Sequence, residues 1–86
     1  MPVISTFYGI IIRMFFDEHA PPHFHAEYGE VKASIDIRAL EITGGKLPRR
    51  AQELVLDWAE LHQEDLMDNW ELCRQHQEPK KIEPLK

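Results

Sequence analysis

From His23 to Ile37 polar and apolar residues alternate without a break except at Gly29-Glu30, and no other stretch of the chain restricts its fold so tightly. Phe24, Ala26, Tyr28, Val31, Ala33, Ile35 and Ile37 fall on one face, with His23, His25, Glu27, Lys32, Ser34 and Asp36 on the other. Gly29-Glu30 is a Gly-X pair suited to a type II′ turn, so the segment reads as a β-hairpin with a two-residue loop. The loop length sets the register. It pairs Tyr28 with Val31, Ala26 with Ala33 and Phe24 with Ile35 on the apolar face, and Glu27 with Lys32, His25 with Ser34 and His23 with Asp36 on the polar face.

Upstream, residues 7–16 are dense in β-branched and aromatic types and read as one central strand, apolar on both faces. Tyr8, Ile10, Ile12, Met14 and Phe16 are expected on the core side, and Ile11, Arg13 and Phe15 opposite. Asp17 to Pro22 reads as a loop, because two successive prolines remove two ladder donors. Leu40 to Thr43 reads as a short further strand ending at a Gly44-Gly45 turn.

Pro48 suits the start of a helix rich in Leu, Ala, Glu and Gln. Val55, Trp58, Ala59, His62, Leu66, Trp70 and Cys73 share one face of it, and Glu53, Asp57, Glu60, Glu64, Asp68 and Glu71 the other. The phase runs to about Gln77, yet about 30 residues would span about 45 Å, longer than the sheet they should cover. A kink or break near His62 to Glu64 resolves the conflict. The expected architecture is α+β: a three- to four-stranded, mainly antiparallel sheet packed on a long or kinked C-terminal helix. Residues 1–77 form a single domain in this reading, and 78–86 a flexible C-terminal tail.

Eighty-six residues with 43% hydrophobic content suit one small domain. The formal charge of -5 argues against general nucleic-acid binding, which depends on clustered Lys and Arg. Cys73 is the only cysteine, so no intrachain disulfide forms. Residues 1–12 lack the basic start of a signal sequence, and no stretch approaches the roughly 20 apolar residues of a membrane span. A soluble, cytoplasmic protein is expected.

His19, His23 and His25 lie close together, and two histidines two apart on a strand point the same way about 7 Å apart. They can converge on one metal ion, with Asp36, His19 or Asp17 as a third ligand and zinc among the metals suited to such a set. The same pairing offers a His23–Asp36 dyad for proton transfer. The plainer alternative is a solvated polar sheet face. Lys46, Arg49 and Arg50 gather at the helix start, where positive charge opposes the helix dipole, so an anion or an acidic partner surface is one reading. An Arg49–Glu53 ion pair is the other. No catalytic residue or organic cofactor site is identified.

The runs Phe7-Tyr8-Gly9-Ile10, Met14-Phe15-Phe16-Asp17-Glu18-His19 and Pro21-Pro22-His23-Phe24-His25-Ala26-Glu27-Tyr28-Gly29 resemble a family of small bacterial proteins known as domain of unknown function 4160. The likeness continues through Leu47-Pro48-Arg49-Arg50-Ala51, Trp58-Ala59-Glu60-Leu61-His62 and Asn69-Trp70-Glu71. The resemblance implies a bacterial cytoplasmic protein, often encoded beside another small protein in the manner of toxin–antitoxin pairs, and no residue roles. The leading expectation is therefore a non-enzymatic interaction module with a protein partner or a second copy of itself, using the histidine face and the Arg49-Arg50 corner. The alternatives are a metal-dependent hydrolase or nuclease built on His23 and His25, and a nucleic-acid-binding regulator, which the net charge disfavours.

Overall fold

The structure, a computed structural model, describes residues 2–86, so the expected domain start at residue 1 lies outside the described residues. Among those described, the chain forms strands β1 (Val3–Phe7), β2 (Ile10–Arg13), β3 (His23–Tyr28), β4 (Val31–Asp36) and β5 (Glu41–Gly45), then helices α1 (Arg49–Leu61) and α2 (Gln63–Arg74). The strands form one antiparallel meander in the order β1-β2-β3-β4-β5. The α+β class is as expected, but the sheet has five strands rather than three or four, and two helices replace the single long one.

The extra strand comes from the N-terminal apolar run. Residues 7–16 are not one strand, because Tyr8 and Gly9 both take positive φ, 51° and 79°, and turn the chain back so that Phe7 pairs with Ile10. Positive φ at both central positions is the geometry of a type I′ hairpin turn, which Gly9 favours and which a continuous apolar run conceals. Ile10, Ile12 and Met14 are buried as expected, whereas Tyr8 at the turn and Phe16 beyond the strand are exposed.

The β3–β4 hairpin has all six of the expected pairs, from Tyr28↔Val31 to His23↔Asp36, and Gly29 has φ 60° at the first turn position. Gly44 and Gly45 are not a turn; they end β5, which carries a bulge at Thr43 where the pairing steps from Ile35↔Ile42 to Ser34↔Gly44. A Cβ on Gly45 would lie 2.2 Å from the Lys32 carbonyl oxygen, so only glycine permits this approach.

Helix α1 begins after Pro48, and the chain breaks at His62, whose φ and ψ of -125° and 26° are not helical. The break falls within the span where the length argument placed it. Helix α2 ends at Arg74, short of Gln77, in a Schellman motif: Gln77 N–H donates to Leu72 O, His76 N–H donates to Cys73 O, and His76 takes φ 60°. Val55, Trp58, Ala59, Leu66, Trp70 and Cys73 are buried, forming the core with Ile10, Ile12, Phe24, Ala26, Ala33 and Ile35 of the sheet.

Residues 78–86, read from the sequence as a tail, make specific contacts along the domain. Ile82 is buried and its N–H donates to Ile4 O at 2.8 Å, at the β1 edge of the sheet. The buried Asn69 amide clamps Lys80, donating to its carbonyl at 2.9 Å and accepting from its N–H at 2.8 Å, while Trp58 Nε1–H donates to Glu83 O. Among the described residues, no helix is long and apolar enough to cross a membrane.

Candidate metal centre

Alternation along β3 sends Phe24 and Ala26 into the core and leaves His23 and His25 on the opposite sheet face, where each is partly buried. The rings stand 5.1 Å apart between centroids, nearly perpendicular at 75°. What covers them is the loop between β2 and β3. Phe15 packs edge-on against His25 at 4.6 Å, and Glu18 reaches over both rings.

Glu18 Oε1 lies 2.5 Å from His25 Nε2 and 3.5 Å from His23 Nε2. Glu18, His23 and His25 each offer a ligand atom, and these lie within 4.8 Å of one another. Tetrahedral coordination with bonds of about 2.0–2.1 Å would separate ligand atoms by about 3.4 Å, close to the Glu18–His23 distance and longer than the Glu18–His25 contact, which would have to open to admit an ion.

The far side of each ring is also fixed. His23 Nδ1 lies 2.9 Å from the Pro21 carbonyl oxygen, and because a carbonyl only accepts, Nδ1 donates there and Nε2 is the ring nitrogen turned toward Glu18. His25 Nδ1 faces Ser34 Oγ at 3.4 Å, its cross-strand partner. A hydroxyl both donates and accepts, so Ser34 accommodates His25 whether Nε2 gives a proton to Glu18 or gives a lone pair to a metal. Outer partners of this kind set the orientation and tautomer of histidine ligands.

The loop is held from behind. Asp17, at φ 60°, pairs its Oδ1 with His76 Nε2 at 2.8 Å, and Phe16 stacks near the same ring. Pro22 O accepts from Ile37 N–H at 3.0 Å, joining the end of the loop to the β4 side of the hairpin. Trp70 of α2 packs against His23 at 5.3 Å.

The other residues singled out in the sequence lie elsewhere. His19 is exposed at the loop tip and is not part of the cluster. Asp36 pairs with His23 in register, but its Oδ1 accepts from the N–H groups of Arg38 and Ala39 at 2.8 Å each, closing the turn after β4. Glu18 completes the group instead. The sequence signal for it was weak: a carboxylate beside the proline pair, on a loop whose return path depends on contacts with α2. Lys46 is exposed, and Arg49 and Arg50 both pair with Glu53, at 3.7 and 3.4 Å, as exposed helix-surface ion pairs. Burial first, then the charge of Glu78, pushes the Cys73 thiol up from its ordinary range, which disfavours the thiolate.

The family described as "Domain of unknown function (DUF4160)" matches residues 9–71 of the 86. The chain belongs to this family. The matched span holds β2 through most of α2 and with them Glu18, His23, His25 and Ser34, so the whole cluster lies inside the DUF4160 domain. No curated protein and no solved structure matches the chain.

Proposed function

We propose that the protein is a metal-dependent hydrolase whose ion is a divalent transition metal, zinc in the first instance, held by Glu18, His23 and His25. One observation carries the reading: a single carboxylate oxygen of Glu18 faces Nε2 of both histidines. A solvated polar face would leave these side chains apart, whereas here the loop returns to bring a third donor onto a pair already oriented by Pro21 and Ser34. Three protein ligands leave a fourth position for water. Zinc lowers the pKa of such a water to about 7, giving a hydroxide nucleophile at neutral pH.

The test is elemental analysis and zinc titration calorimetry on untagged, natively purified protein beside a His23→Ala, His25→Ala double variant. The expected result is one ion per wild-type chain and none on the variant. Metal-free wild-type protein that gives no binding heat with zinc would sink the reading.

A second reading, a non-enzymatic interaction module in the cytoplasm, is favoured by a different surface. Tyr8, Tyr28 and Val31 are exposed at the turn end of the sheet, beside a groove lined by Pro48, Arg50 and Leu54. A partner protein or a second copy seated there would cover these apolar side chains. The narrower idea of a toxin–antitoxin-like pair rests on the family resemblance. Coexpression with the product of the neighbouring gene should yield a complex that Tyr8→Ala, Tyr28→Ala weakens, and absence of any complex removes this reading's support.

A further inference from the structure

Beside the histidine pair, a groove of about 430 Å³ runs between the β2–β3 loop, the turn after β4 and helix α2. That volume lies within the range of small-molecule sites. Glu18 lines this groove as well as the metal cluster, and Trp70, which forms part of its wall, packs against His23. The groove and the cluster therefore adjoin through Glu18 and Trp70.

Of the groove's charged side chains, Glu18 and Glu71 balance Arg38 and Arg74. Arg38 lines it with an exposed guanidinium that has no side-chain partner among the described residues. Its backbone is nevertheless fixed at both ends, the N–H donating to Asp36 Oδ1 at 2.8 Å and the carbonyl accepting from Gln63 Nε2 at 3.3 Å. Arg74, across the groove on α2, is paired with Glu71 at 3.3 Å, and so contributes a neutral pair rather than a free charge. A dication held at Glu18 would therefore give the groove net positive charge in a chain whose formal charge is -5.

We propose that this groove binds a small phosphate ester, with one phosphoryl oxygen at the open metal position and others on the Arg38 guanidinium. The proposal rests on the metal reading above and adds the substrate class. A phosphoryl group has enough terminal oxygens to ligate an ion and still accept the two parallel N–H bonds of a guanidinium, which a carboxylate's two oxygens do less well. In the reaction, an ion held by Glu18, His23 and His25 would take both the phosphoryl oxygen and a water, expanding from four to five ligands, and that water would supply the hydroxide that attacks phosphorus as the ester P–O bond breaks, its electron pair leaving on the alcohol oxygen. That oxygen takes a proton from water, so one water is consumed and inorganic phosphate and an alcohol are released.

The experiment has two stages on the full chain. Zinc binding is first measured by calorimetry for wild type and Arg38→Ala, and both should bind alike. The zinc-loaded proteins are then titrated with inorganic phosphate and with succinate, following Trp fluorescence, and assayed with p-nitrophenyl phosphate. Phosphate should bind the wild type, Arg38→Ala should bind it about tenfold more weakly or worse, and Arg38→Lys should recover part of the loss. Failure of zinc to bind removes the metal reading and this proposal together. Normal zinc binding with no phosphate binding, with succinate preferred to phosphate, with equal phosphate affinity in Arg38→Ala or with no turnover of the ester overturns the substrate class alone.

Discussion

The two faces of β3 differ in every respect but their backbone. Phe24 and Ala26 are wholly buried against Trp58 and the sheet's other apolar residues, while His23 and His25, one residue away on each side, meet Glu18, Pro21, Ser34 and Trp70. One strand thus fixes both faces at once: the packing that locks Phe24 in place also sets the direction of both imidazoles. The polar face adds little stability of its own, since its contacts are partly solvated hydrogen bonds and ion pairs. It receives its rigidity from the face behind it.

The comparison breaks most visibly with Phe24→Ala. Emptying that site should lower unfolding stability by about 3–5 kcal/mol in urea denaturation, and should lose metal binding as a consequence of unfolding. Glu18→Gln tests the other face. It should leave the denaturation midpoint close to wild type while weakening zinc affinity by about 100-fold or more by calorimetry, because an uncharged amide replaces the carboxylate ligand. Ser34→Ala sharpens the contrast further, since Ser34 touches His25 only through Nδ1: about a tenfold loss of zinc affinity is expected with no change in the circular dichroism spectrum. Arg49→Gln lies on neither face, and its pair with Glu53 is exposed, so thermal unfolding should shift by the equivalent of less than about 0.5 kcal/mol. A larger shift would mean that the helix start contributes more than a solvated ion pair.

These faces were legible in the sequence to different degrees. The β3–β4 register follows from alternation and a two-residue turn, both of which are local, and the six pairs match residue for residue. The inward face of the helices was equally plain, because a 3.6-residue period survives the break at His62. Residues 7–16 misled because an apolar run with Ile at consecutive positions has no period to interrupt, so the Tyr8-Gly9 turn left no mark except the glycine. The third member of the histidine cluster was hidden for another reason. Asp36 is adjacent to His23 in register, yet its carboxylate is taken by the backbone of the next turn. Glu18 sits on a loop held by long-range contacts, among them Asp17 with His76 past the end of α2 and Pro22 with Ile37, which no local pattern encodes.

Every strand of this sheet pairs with its neighbour in sequence, so each pairing closes a short loop. Residues 78–86 are the exception, joining β1 through Ile82 and Ile4 across almost the whole chain. A contact between positions so far apart in sequence is expected to form only after the meander and helices have brought its ends together. The same ordering governs opening under native conditions. In hydrogen exchange the Ile82 amide should therefore be lost well before those of β3 and β4, with the last segment of the chain acting as a latch that releases while the histidine face stays closed.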